Sequence, residues 1–225
     1  MGLASQDMTM VKQINNLADA EKKTENAGLA RAEQKRPLRK GNLIVLTGPS
    51  GVGKGTLTMR LMSTVPNLLK SVSVTTRERR PQEKEGLDYF YRSRAEFEEM
   101  KGSLLEWAEF AGNCYGTPEA WVDEQIALGN DVLLEIEVQG AQQIRKKRPQ
   151  SLLIFVSPPS FEALRQRLES RATETEDKIR RRLDKAREEL TQKNDFHYEV
   201  INDDIDEAVN NLVHIVYAER CRIRK

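Results

Sequence analysis

Leu43–Thr47 is a short run of apolar and β-branched residues that leads without interruption into Gly48-Pro49-Ser50-Gly51-Val52-Gly53-Lys54-Gly55-Thr56. The run has the length and composition of a strand buried on both faces. The segment after it matches G-x-x-x-x-G-K in the strand–loop–helix setting that separates phosphate loops from chance matches. Successive backbone N–H groups must turn inward on a polyphosphate, and glycines allow a loop to curl that tightly. The helix opening at Gly53 adds the positive end of its dipole, and Lys54 adds a point charge for the outer phosphates. Gly55 stands where Ser or Thr is usual, so the hydroxyl that assists Mg²⁺ is expected from Thr56, one place later.

From Gly41 onward strands and helices alternate. Val132–Ile136, Leu152–Val156 and Tyr198–Asn202 read as further strands, and Ser71–Thr75 as a weaker one. Helical spacing predicts helices over Gly53–Thr64, Pro118–Leu128, Gln139–Arg148 and Phe161–Ser170, with Pro149 closing the third. Thr173 to Glu176 has capping-box spacing before a helix to about Lys193. A last helix starts near Asp203 or Asp204 with Ile205, Ala208, Val209, Leu212, Val216 and Tyr217 on one face. This alternation means an α/β fold with a doubly wound sheet. Residues 77–117 break it. They are rich in Tyr, Phe and Trp, and read as short strands around one helix in an inserted subdomain.

Composition narrows the function. The chain of 225 residues carries 36 Lys+Arg against 35 Asp+Glu, which argues against a nucleic-acid coat. No apolar run approaches the roughly 18 residues of a membrane span. Two cysteines, Cys114 and Cys221, and two histidines, His197 and His214, show no metal-ligand spacing and fit a reducing, cytoplasmic setting. Residues 1–40 stand apart, with eight basic and five acidic residues and no aromatic. They are expected to be a disordered or partly helical extension, neither secretory signal nor transit peptide. Residues 41–225 then read as the folded domain, with a net charge of −2.

A second anion-binding cluster comes after the phosphate loop. Ser71-Val72-Ser73-Val74-Thr75-Thr76-Arg77-Glu78-Arg79-Arg80 ends a strand with hydroxyls and arginines, whose planar forks suit phosphate oxygens. Asp88-Tyr89 lies close behind. Farther on come Glu106-Trp107-Ala108, flanked by Leu104, Leu105 and Phe110 that argue for a partly buried acid, then Tyr115-Gly116-Thr117 and Glu135-Ile136-Glu137-Val138-Gln139-Gly140. Arg165, Arg167, Arg171, Arg180, Arg181 and Arg182 gather on two helices with a Thr/Glu-rich connector.

Together, and in this order, these motifs resemble the guanylate kinase family over roughly residues 41–223. The resemblance implies a P-loop three-layer α/β/α fold with a parallel core sheet, a β-rich GMP-binding insertion at about 77–117 and a helical lid at about 165–193. It implies reversible transfer of the ATP γ-phosphoryl group to GMP, giving ADP and GDP, with Mg²⁺, in purine nucleotide metabolism. By this resemblance Gly48 to Thr56 would cradle ATP, with Asn202 by the adenine. Ser73, Arg77, Arg80, Tyr89 and Tyr115 would hold the GMP phosphate. Glu106 and Thr117 would read guanine with Glu137 in support, although the family often has Asp at this last position. Lys54, Arg77, Arg171 and Arg182 would act on the transferring group, with Arg167 beside them.

Guanine presents N1–H and its exocyclic amine side by side, so one carboxylate accepts both. Adenine would set an acceptor against it. Adenylate kinase and ribose-bisphosphate kinase share parts of the pattern without these readers. Guanylate-kinase-like scaffold modules typically have a degraded phosphate loop, whereas this loop keeps Lys54. Partners are therefore expected to be ATP and GMP, with no nucleic acid and no membrane, in a monomer or homodimer.

Overall fold

The computed structural model describes residues 39–170 and 176–223. The expectations for residues 1–38, the Thr173 capping box and Arg171 lie outside the described residues. The described residues from Lys40 onward form one compact unit. Its main sheet has five parallel strands: β1 (Leu43–Thr47), β2 (Leu68–Lys70), β7 (Asp131–Glu135), β8 (Leu152–Ser157) and β9 (Tyr198–Ile201). Their order is β2-β7-β1-β8-β9, which puts the strand before the phosphate loop at the centre.

Both faces of this sheet are covered, as the unbroken apolar strands require. On one face Ile44, Leu46, Leu133, Leu152, Ile154 and Val156 pack under four helices. These are α1 (Lys54–Thr64), α5 (Phe161–Glu169), α6 (Glu176–Thr191) and α7 (Ile205–Arg220). On the other face Leu43, Val45, Val132, Leu134 and Leu153 meet α3 (Glu119–Ala127) through Val122 and α4 (Val138–Lys147) through Ala141 and Ile144. The strands alternate residue by residue between these clusters, giving three layers.

A smaller mixed sheet has the order β4-β3-β6-β5, with β3 (Ser73–Thr75), β4 (Tyr89–Tyr91), β5 (Leu104–Phe110) and β6 (Asn113–Pro118). It packs on α2 (Arg94–Met100) through Val74, Phe97, Leu104 and Cys114. Ser93 caps α2 in a reciprocal capping box with Glu96. β5 and β6 form a hairpin around Ala111 and Gly112, both at positive φ, as a two-residue turn demands. The resulting register sets Glu106 directly opposite Thr117.

Candidate active site

The phosphate loop lies between β1 and α1. Gly53, the residue before α1, has φ of 101°, and a Cβ there would also stand 2.5 Å from Asn202 Nδ2. Both observations restrict the position to glycine. Asn202 follows β9 and donates from Nδ2 to the Val52 carbonyl at 2.7 Å, while its own carbonyl accepts from Arg167 Nη2 at 2.9 Å. Arg182 of α6 donates to Ser50 Oγ at 2.6 Å. The helix carrying Arg182 thus touches the loop directly. Lys54 Nζ donates to the carbonyls of Gly48 at 2.5 Å and Pro49 at 3.2 Å. Burial pushes the Lys54 amine below the ordinary lysine value, against the opposing charges of Glu137, Glu189 and Glu135. Thr56 is exposed in the first turn of α1.

One cleft is lined by Lys54 together with Ser73, Arg77, Arg80, Tyr89, Glu106, Tyr115 and Glu137. It joins the phosphate loop to the smaller sheet. Arg77 follows β3, donates from Nη2 to Glu83 Oε1 at 2.7 Å and lies 5.4 Å from the Tyr89 ring centre. Tyr89 and Tyr115 meet edge to face with ring centres 6.1 Å apart. Glu83 also accepts from the Tyr91 hydroxyl at 2.8 Å and the Arg80 backbone N–H at 2.9 Å. Burial would raise the Glu83 carboxyl, but these donors outweigh it and hold the pKa at about 2. Glu83 therefore stays ionised and fixes the Arg77 fork. Arg80 remains mostly exposed.

At the far wall of the cleft Glu106 is only 3% exposed. Thr117 Oγ1 donates to its Oε1 at 2.6 Å, as their cross-strand register allows. Burial pushes the Glu106 carboxyl up to about 7, with the Thr117 hydroxyl and the Lys147 charge opposing. Among the described acids Glu106 and Glu189 are the two raised to about that value. Thr117 is fully buried and stands behind the acid rather than on the cleft wall.

Several contacts here have no signal in the sequence pattern. Lys70 of β2 pairs with Glu135 at 2.9 Å on the cleft wall. Lys185 of α6 reaches Glu137 at 3.1 Å and Glu189 at 3.6 Å, and lies 4.2 Å from the Phe110 ring centre. Glu189 is pushed up to about 7 by burial and by the Glu137 charge. Lys185 falls at a solvated-looking position in a highly charged helix, so only the tertiary packing reveals it. Among the described residues no three His, Cys, Asp or Glu side chains gather as a metal site, and no helix is long and apolar enough to cross a membrane.

The sequence model of the family described as guanylate kinase matches residues 40–219. The guanylate kinase of Desulfitobacterium hafniense (strain Y51) is 51% identical over 187 residues, covering 82% of this chain and 94% of the relative. That of Synechococcus sp. (strain CC9902) is 53% identical over 174 residues, covering 76% and 93%. The crystal structure of guanylate kinase from Anaplasma phagocytophilum superposes with a TM-score of 0.69 at 34% identity, over 82% of this chain and 88% of that one. On the family match, the identities and the shared fold, this chain belongs to the guanylate kinase family, whose members are nucleoside monophosphate kinases.

Proposed function

We propose that this protein transfers the γ-phosphoryl group of ATP to GMP, releasing ADP and GDP. The observation that carries the reading is the buried Glu106–Thr117 pair on the cleft that also holds Lys54 and Arg77. An ionised Glu106 accepts from guanine N1–H and the exocyclic amine, and Thr117 holds one carboxylate oxygen in place. Each oxygen keeps a second lone pair for the ligand. Ser73, Arg77, Arg80, Tyr89 and Tyr115 take the GMP phosphate, with Glu137 beside the base. This supplies two arginine forks and two phenols for one dianion.

ATP lies along Gly48, Pro49, Ser50, Gly51, Val52, Gly53, Lys54, Gly55 and Thr56, with Asn202 bracing the loop from behind. A GMP phosphate oxygen attacks the γ-phosphorus in line, and the bond to the β,γ-bridging oxygen breaks as ADP leaves. Arg182 neutralises the equatorial oxygens, and Arg171 shares that role by family resemblance. Lys54 exchanges its loop carbonyls for the phosphates. Such positioning and charge neutralisation account for most of phosphoryl-transfer catalysis.

Mg²⁺ is implied by the nucleotide chemistry, and the donors present fit it. Glu135 Oε1 lies 3.5 Å from where a Gly55 Cβ would stand, so a carboxylate reaches the start of α1, where Thr56 is the next residue. Mg²⁺ favours one or two such oxygens plus phosphates and waters over an all-protein cage. Thr56 and Glu135 would help to hold it, and it would supply positive charge that offsets the charge of the phosphates. The proposal includes a cytoplasmic setting, supported by two free cysteines.

The test is ADP release by purified protein from ATP and Mg²⁺, with GMP, AMP or ribose 1,5-bisphosphate as acceptor. We expect turnover with GMP alone. Equal turnover with AMP, or none with GMP, overturns the reading.

A further inference from the structure

We infer that Gly140 is a positioning residue for guanine recognition, because its missing side chain makes the space in which the Glu106 carboxylate sits. The inference rests on the assignment of Glu106 as the guanine reader. Gly140 lies in the first turn of α4 and is not among the glycines at positive φ, so its backbone does not require glycine. Glycine is a poor helix former relative to alanine, and local propensity would favour replacing it. The reason for its presence is spatial. A Cβ on Gly140 would stand 2.1 Å from Glu106 Oε2 and 3.0 Å from Glu106 Cδ.

Something must then move by roughly 1 Å to reach ordinary contact distance. The helix is held. Gln143 accepts from the Trp107 N–H at 3.2 Å and donates to the Trp107 carbonyl at 2.5 Å. Lys147 donates to the carbonyls of Leu104 at 3.2 Å and Leu105 at 2.8 Å. These contacts join α4 to β5 on both sides of Glu106, so backbone retreat would break all four. The carboxylate is the end of a side chain, and its displacement breaks only the Thr117 hydrogen bond. The acid therefore yields, and a displacement of about 1 Å is enough to spoil a bidentate contact.

The test compares Gly140→Ala, Glu106→Gln and the double variant in steady-state kinetics and thermal melts. For Gly140→Ala we expect KM for GMP to rise about 10- to 100-fold, the effect of losing hydrogen bonds to a charged acceptor. KM for ATP should stay within about twofold and Tm within about 5 °C of the parent, since the ATP site and helix are untouched. In the Glu106→Gln background the same alanine should change KM for GMP by less than about twofold, because coupled sites are not additive. An unchanged KM for GMP in Gly140→Ala beside an impaired Glu106→Gln overturns this inference alone. So does an equal loss in both backgrounds, or a Tm fall beyond about 5 °C, which would mean that the helix moved. A parental KM for GMP in Glu106→Gln overturns the guanine-reader assignment and this inference with it.

Discussion

Replacing Glu106 by Gln should make the protein more stable above neutral pH while disabling it. In the folded state burial raises the carboxyl from 4.5 to about 7, so the charged form is disfavoured where it sits. A raised folded-state pKa contributes stability that is complete below about 4.5 and lost as pH rises through about 7. At 1.36 kcal/mol per pKa unit the loss is about 3 kcal/mol, with no discount for screening because the group is buried. Gln keeps the shape, still accepts from Thr117 and does not titrate. Urea melts of both proteins from pH 4.5 to 8 should therefore diverge across that window. The variant should gain about 3 kcal/mol relative to the parent, on the order of 10 °C in Tm. Glu189 titrates over a similar range but in both proteins, so it cancels in the difference. At pH 8 the variant should lose about a hundredfold in kcat/KM for GMP, because its amide donor faces the guanine donors. The parent's own kcat/KM should fall as pH drops below about 7 and Glu106 takes up a proton. Stability curves that stay parallel from pH 4.5 to 8 would refute the reasoning.

Arg182→Ala should lower kcat by about 10³-fold or more, as for arginines on a transferring phosphoryl group, with KM for GMP nearly unchanged. Single-turnover kinetics would measure this, and a near-normal kcat would remove Arg182 from the transfer step. Away from the cleft, Arg220 of α7 pairs at 2.7 Å with Asp131, whose side chain is fully buried. Breaking that pair with Arg220→Ala should cost about 3 to 5 kcal/mol in urea melts without altering KM for either nucleotide.

The core strands were legible because they are apolar runs of a length that only a buried strand explains. β1 spans the predicted Leu43–Thr47, β7 is shifted by one residue at both ends from Val132–Ile136, and β8 extends Leu152–Val156 by one residue. β2 escaped notice because Leu68–Lys70 is too short to show a period and follows Asn67 at positive φ. Ser71–Thr75 shortens to Ser73–Thr75 and pairs in the smaller sheet with β4 and β6. In the cleft, residue types that carry charge in a fixed order could be read from the chain. Contacts made across elements could not. Lys185 on Glu137 and the gap that Gly140 leaves for Glu106 depend on packing between segments far apart in sequence, and Glu83 meets Arg77 only through the folding of the β3–β4 loop that both occupy.

β5 ends its sheet, and a terminal strand offers backbone groups that can recruit a strand from another molecule. Gln143 and Lys147 occupy that rim at Trp107, Leu104 and Leu105. Two helix side chains thus stand in for the missing neighbour strand. The edge that carries Glu106 can border an open cleft without becoming a template for chain-to-chain pairing. Protection from aggregation and placement of the acid are therefore served by the same few atoms. Truncating Gln143 or Lys147 would weaken both at once.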